Sequence, residues 1–333
     1  MTREGDRTSR EAEGSDVFAA IRSGCREVTR RARSVRIQEA GLEAFAERLA
    51  SVSWPEEDLD PAHHVRGSEP EELAFVIALD AINFGSGWFP VLRKRDGLSG
   101  YRTVATACKE RFETEGAWSA ASLRATTAEV MAEMLGQDLL DPEVEELMAL
   151  YAKAWRDLGR WLGERHDDRF ESVIDSAEHS AARLVHSLAE MSLYRDVARY
   201  EEVEVPFYKR AQITVADLAR VLDPEGRGRF DDLDSLTLFA DNLVPHVLRC
   251  EGVLVYEDSL TDRIDRQVLL APGSPEEIEI RAVAVEAVER LVDALGRRGR
   301  PTTAHALDGL LWNAGQAPAI KARPRHRTRC AFY

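Results

Sequence analysis

Positive charge is what this chain has too little of. Its 44 Lys and Arg face 59 Asp and Glu, a formal net charge of −15 over 333 residues. Sequence-independent binding to duplex nucleic acid rests on neutralising phosphates with Lys and Arg, so this balance argues against intact nucleic acid as a partner. It leaves room for a local basic pocket that takes one phosphate. Cysteine is also scarce: Cys25, Cys108, Cys250 and Cys330 are scattered, and no pair has metal-ligand or redox-motif spacing. A reduced, cytoplasmic setting is the expectation. No apolar run is long enough to span a membrane, and the N-terminus has no apolar signal core. A glycine-rich phosphate loop, a nucleophile elbow, a zinc set and internal repeats are all missing, and strand signals are few and short. At 44% hydrophobic and 31% charged, the chain has ample core for a globular protein. The pattern is all-α, and the length suits one large domain or two ordinary ones.

Among what is present, residues 236–248 stand out. They read as a helix that is apolar on nearly every side, with Leu236, Phe239, Ala240, Leu243 and Val247 as one stripe and Leu238, Val244 and Leu248 opposite. Asp241 sits inside this helix, where a carboxylate is costly unless paired or used. Pro245 removes the partner of the Asp241 carbonyl and breaks the helix beside the acid. Two readings stay open: a catalytic carboxylate, or an acid that caps the segment starting at Pro245 or forms a core salt bridge.

Elsewhere the signals are those of helices. Residues 1–34 are polar and mixed in charge, a partly flexible segment in which helix begins near Val17, and 35–333 form one helical domain whose division into two lobes is open. Ser68-Glu69-Pro70-Glu71 is a capping box that opens an apolar helix, on one face of which Asp80 and Asn83 lie three apart. Gly85-Ser86-Gly87-Trp88-Phe89-Pro90 then breaks it. Such a loop admits a flat ligand to the backbone with an aromatic to stack on it, or is a glycine cap with Phe84 and Trp88 as packing. His63-His64 reads as a solvated loop pair, and His179 and His186, one heptad apart, as structural residues of one helix running on from Val173. Val203 to Tyr208 is extended. Lys209-Arg210 precedes a helix capped by Thr214, where paired cations suit an anion or are simply solvated. Cys250 to Tyr256 is a short, hairpin-like connector. Ser274-Pro275-Glu276-Glu277 starts a helix that Gly296 ends, with Glu277 and Arg281 as an i, i+4 pair of the kind that contributes tenths of a kcal/mol. Thr302-Thr303 caps a last helix carrying Leu307, Asp308, Leu310, Leu311 and Trp312. The tail from Lys321 is basic, either a solvated end or a segment that folds back toward an anionic ligand.

Five of these segments, in order from about residue 35 onward, resemble one family. Leu79 to Phe84 is similar to an LDxxNF segment, and Ser192 to Asp196 with Phe207 to Gln212 to SxRD…FYKRAQ. Leu236 to Pro245 is similar to LTxFADxxVP, and Glu276 to Ala282 to EExEIRA. His326-Arg327-Thr328-Arg329-Cys330 with Tyr333 resembles the family's C-terminal end. The family is the queuosine salvage proteins, the queuosine 5′-phosphate N-glycosylase/hydrolases. The resemblance implies a compact, multi-helix fold related to helix-hairpin-helix DNA glycosylases. It implies an N-glycosidase that hydrolyses queuosine 5′-monophosphate to queuine, a 7-deazaguanine base used in tRNA modification, and ribose 5-phosphate. It implies no metal and no organic cofactor. Asp241 matches the family's catalytic Asp, which stabilises an oxocarbenium-like state or activates water. Asp80 and Asn83 are then expected at the base edge and Phe84 or Trp88 on its face. Lys209, His246, Arg327 and Arg329 are expected around the 5′-phosphate. One departure concerns the stacking residue: Gly85-Ser86-Gly87-Trp88 stands where the family carries larger, more aromatic residues. A DNA-glycosylase-like enzyme and a non-enzymatic helical scaffold are the alternatives, the first disfavoured by the charge and the second by an acid within an apolar stretch.

Overall fold

The computed structural model describes residues 16–54 and 60–333. Residues 1–15, the first part of the expected polar segment, therefore lie outside the described residues. In chain order the elements are α1 (Val17–Arg31), β1 (Val35–Ile37), α2 (Glu39–Ser51), α3 (Glu69–Asp80), α4 (Gly100–Glu115), α5 (Ala120–Arg124), α6 (Ala128–Leu135), α7 (Pro142–Arg165), α8 (Phe170–Asp175) and α9 (Ala181–Leu188). There follow β2 (Val197–Tyr200), β3 (Val203–Pro206), α10 (Lys209–Val221), a 3-10 turn, α11 (Val244–Cys250), β4 (Leu254–Tyr256), α12 (Asp258–Asp265), α13 (Pro275–Arg297), α14 (Ala304–Ala314) and α15 (Pro318–Lys321). The protein is thus mostly α, as its pattern implies. The strands form two antiparallel pairs, β1 with β4 and β2 with β3. No helix is long and apolar enough to cross a membrane among the described residues.

Local chemistry sets most of the helix starts. Ser68 and Glu71 close a reciprocal capping box at α3, Asp141 accepts the Glu143 N–H ahead of α7, and Thr303 accepts the Ala306 N–H at α14. Helix α3 is apolar all round because every residue from Leu73 to Asp80 is buried between α4, α8 and α10. Helix α13 is the other buried axis. Its residues Glu277 to Val288 are all buried, and it packs on α1, α2, β1, α11 and α14. Helix α1 starts at Val17 and buries Phe18, Ile21, Cys25 and Val28 in that same core.

Several local readings are corrected. Residues 236–243 are not helical. Leu236 to Asp241 have no regular secondary structure, the Ala240 N–H turns back onto the Leu238 carbonyl, and helix begins only at Val244 with Pro245 in its first turn. Side chains from elsewhere serve this backbone in place of helical partners: Gln212 Oε1 accepts Thr237 N–H, Asp308 Oδ1 accepts Phe239 N–H, and Arg281 Nε donates to the Ala240 carbonyl. The helix read through Val173 to Met191 is two, α8 and α9, because Glu178 and His179 adopt positive φ between them. His179 and His186 are exposed. Thr214 lies inside α10, donating to the Arg210 carbonyl, since the helix already starts at Lys209 after Tyr208 at φ 46. Lys209 and Arg210 are buried rather than solvated. The Cys250–Tyr256 connector pairs with distant β1 instead of closing a hairpin, and Gly296 lies within α13, which runs on to Arg297.

The Glu277–Arg281 pair is also not the surface pair its spacing suggests. Both side chains are buried, and Arg281 makes a bidentate bond to Asp196 at 3.0 and 2.5 Å, with Glu277 at 3.6 Å. The rings of Phe207 and Tyr333 lie 3.9 and 4.8 Å from its guanidinium carbon. Removing one partner of such a cluster leaves an uncompensated buried charge. Arg281→Ala is expected to lower unfolding free energy by about 3–5 kcal/mol, measured by urea denaturation.

Candidate active site

A cavity of ≈ 620 Å³ opens between the loop after α3, the start of α4, α10, the segment ahead of α11, α14 and the C-terminal tail. The volume falls in the ordinary range for small-molecule sites. Asp241 lines it, half-buried, with Oδ1 accepting the N–H groups of Leu243 (2.8 Å) and Val244 (3.0 Å) at the start of α11. The capping reading of Asp241 is therefore correct as geometry, and the same bonds aim the acid at a cavity. Lys209, the first residue of α10, lines the cavity too. Its backbone N–H donates to Asp196 Oδ2 and its Nζ to the Asn83 carbonyl at 3.2 Å. Burial pulls the Lys209 ammonium below its ordinary pKa, and the charge of Asp241 opposes that pull. Asp308 enters from α14, buried, its Oδ1 accepting Phe239 N–H at 3.1 Å.

The tail forms the facing wall. Lys321, Arg323, Arg325 and Arg327 all line the cavity. The tail is held at several points: Arg327 donates to the Gln267 carbonyl, the Arg327 carbonyl accepts Leu270 N–H, and the Tyr333 carbonyl accepts Gly85 N–H at 3.1 Å. Tyr333 Oη donates to Glu277 at 2.9 Å. Gly87 is required where the tail crosses, because a Cβ there would lie 2.3 Å from the Thr328 carbonyl oxygen. Burial works against the charge of Arg325, and Asp241 supports it. Aromatic walls come from Phe84, Phe89, Tyr101, Phe239 and Trp312, the Tyr101 and Trp312 rings meeting edge-on at 6.0 Å.

With this geometry in view, comparison with known proteins is direct. Residues 63–333 match the family model described as queuosine salvage protein. The chain belongs to the queuosine salvage protein family. A relative from Sphaerobacter thermophilus, named queuosine 5′-phosphate N-glycosylase/hydrolase, is 35% identical over 92% of this chain and 96% of its own length. Relatives of the same name from Mus musculus (30% identical; 94% and 98% covered) and Dictyostelium discoideum (33%; 78% and 77%) are also similar to it.

The family motifs do not all reach the cavity. Asn83, Phe84, Lys209, Asp241 and Arg327 line it. Phe84 is buried edge-on to Tyr151 and 4.7 Å from the guanidinium carbon of Arg210. Asp80, the last residue of α3, lies behind the lining: Oδ1 accepts from Asn83 Nδ2 at 3.4 Å and Oδ2 has no partner. Trp88 is buried with Nε1 donating to Glu146, His246 holds the Ile320 carbonyl through Nε2, and Arg329 pairs with Glu143. None of these last four is among the residues that line the cavity. His63 and His64 correct the solvated reading, for both are buried and line it. Burial lowers the pKa of each, so both favour the neutral ring. Sequence reasoning passed over Asp308, Tyr101 and Arg325 as site residues; for Asp308 the signal was available, an acid between Leu307 and Leu310. Among the described residues, no group of three or more His, Cys, Asp or Glu is arranged to hold a metal ion.

Burial, then the charge of Asp217, pushes the Asp80 carboxyl well above the usual carboxylate range. A folded-state pKa above the unfolded one means the folded chain holds the extra proton, so stability falls as pH climbs from the unfolded value toward the folded one. Asp80→Asn removes that loss. Its melting temperature is expected to exceed that of the wild type at pH 8, with the gap narrowing toward pH 4.5, as followed by thermal unfolding across pH.

Proposed function

We propose that this cavity hydrolyses the N-glycosidic bond of queuosine 5′-monophosphate, releasing queuine and ribose 5-phosphate. The observation that carries the reading is the pairing, across one cavity, of a backbone-fixed carboxylate, Asp241, with a wall of four cationic side chains from the tail. Departure of a base from ribose builds positive charge at the anomeric carbon. A carboxylate already oriented by two N–H groups stabilises that charge without reorganising and directs water to the same carbon. Lys321, Arg323, Arg325 and Arg327 suit a 5′-phosphate, and the aromatic walls suit a flat base. A scaffold has no use for buried carboxyl groups around a cavity of this size. The partner is a small nucleotide, no cofactor is invoked, and the four free cysteines accord with a cytoplasmic setting.

The test is release of queuine from queuosine 5′-monophosphate, with substrate binding followed by calorimetry. Asp241→Asn keeps an oxygen for the α11 N–H groups, so the fold is expected to persist. Its rate is expected to drop on the order of 10³-fold while binding is retained. Full activity in this variant would remove Asp241 from the chemistry, and no turnover by wild type would sink the substrate assignment. For the tail, Arg325→Met is expected to raise KM for the monophosphate by about 10- to 100-fold. Kinetics on the nucleoside should change little. Equal losses on both substrates would take Arg325 off the phosphate.

A further inference from the structure

The chemistry of the base poses a problem that Asp241 does not solve. An ordinary purine can be made a better leaving group by protonating N7 before the bond breaks. A 7-deazaguanine has carbon at that position and no lone pair there, so that route is closed, and the charge arriving on the base has to be met at the nitrogen the sugar leaves or at the ring atoms conjugated with it. A proton donor in the cavity, besides the group that stabilises the sugar, serves that charge.

We propose that Asp308 is this donor, the general acid that works opposite Asp241; the assignment rests on the hydrolase reading above. Its placement has three parts. Asp308 lines the same cavity as Asp241, from the separate element α14. Its Oδ1 accepts the N–H of Phe239, two residues before Asp241, so both carboxyl groups are tied to one stretch of backbone and their relative position is fixed. That bond leaves Oδ2 to carry a proton. The carboxyl is also buried, unlike the half-buried Asp241.

The surroundings of Asp308 favour its protonated form. Burial, then the charge of Asp241, pushes the Asp308 carboxyl well above the ordinary carboxylate range. The Phe239 N–H and the cations Lys209 and Arg220 of α10 pull the other way and are outweighed. On its own helix the nearest titrating neighbour is His305, which burial pushes down to about 4 and which therefore adds no charge near neutral pH. From the tail, Arg325 faces Asp241. A protonated carboxyl facing a second acid that two backbone N–H groups hold in place is an arrangement suited to acid-base chemistry on a glycosidic bond. Other candidates fit less well. Asp80 is also buried and shifted upward but is not among the residues that line the cavity, and Lys209 Nζ is drawn toward the Asn83 carbonyl rather than toward Asp241's stretch of backbone.

The step balances as follows. The C1′–N9 bond breaks and its electron pair stays on N9. Asp308 gives its proton to N9, leaving a neutral base and an Asp308 carboxylate. Water adds to C1′ and loses a proton to Asp241, Asp241 releases that proton to solvent, and solvent returns one to Asp308. The sum is substrate plus water to free base plus ribose 5-phosphate.

The experiment is the pH dependence of single-turnover queuine release by wild type, Asp308→Asn and Asp308→Glu, with queuine binding as a check on site integrity. Wild type is expected to lose rate as pH rises through the Asp308 pKa, because the protonated form is the active one. Asp308→Asn still accepts the Phe239 N–H but has no proton to transfer. Its rate is expected to fall about 10²- to 10⁴-fold, with the alkaline limb gone and queuine still bound. Asp308→Glu is expected to restore part of the rate together with an alkaline limb. A rate in Asp308→Asn within a few fold of wild type, or the same alkaline limb in that variant, would overturn the assignment and leave Asp308 as an anchor for Phe239. A wild-type profile flat from pH 6 to 10 would overturn it without recourse to any variant. Absence of wild-type release would overturn the hydrolase reading itself, a separate outcome.

Discussion

Everything around the cavity depends on the buried guanidinium of Arg281. It binds Asp196 in bidentate fashion, donates to the Ala240 carbonyl, approaches Glu277 and lies against Phe207 and Tyr333. Asp196 in turn accepts the N–H of Lys209. One charge therefore fixes the start of α10, the backbone next to Asp241 and the end of the tail. Burial alone would weaken that charge, and the Asp196 and Glu277 carboxylates hold its pKa above the ordinary value instead. Arginine suits this role because five donors in a planar fork can serve a carboxylate and a carbonyl while the flat face packs on rings.

This cluster also explains why separate stretches of sequence belong together. SxRD supplies Asp196, FYKRAQ supplies Phe207 and Lys209, LTxFADxxVP supplies Ala240 and Asp241, EExEIRA supplies Glu277 and Arg281, and the C-terminal end supplies Tyr333. Read along the chain these are short polar motifs without evident connection. In the fold they are one hydrogen-bonded unit with the cavity on its far side. The LDxxNF segment joins through the Asn83 carbonyl, which takes Lys209 Nζ.

What was legible in the sequence follows from the range of each interaction. Ser68, Asp141 and Thr303 announce helix starts because a cap acts within three residues. The apolar surround of Asp241 draws attention to the acid, but the segment around it is not a helix. The groups that satisfy the backbone of Thr237, Phe239 and Ala240 come from Gln212, Asp308 and Arg281, and no window along the chain contains them. The burial of His63 and His64 depends on groups outside their own loop, Thr106 of α4 beside His63 and the Phe75 ring of α3 edge-on to His64. Charge marked the basic tail as able to fold back but not where it lands, which Gly87 and Tyr333 decide. Asp308 carried much the same local signal as Asp241 but lacked a proline beside it to draw the eye.

The tail has a consequence for how the molecule is made. Ser86 and Tyr333 meet across 247 residues of chain. Contacts of such long range form late, because loop closure must be paid for before they reward it. The basic wall of the cavity therefore depends on a contact of this kind, the docking of the tail against the loop after α3.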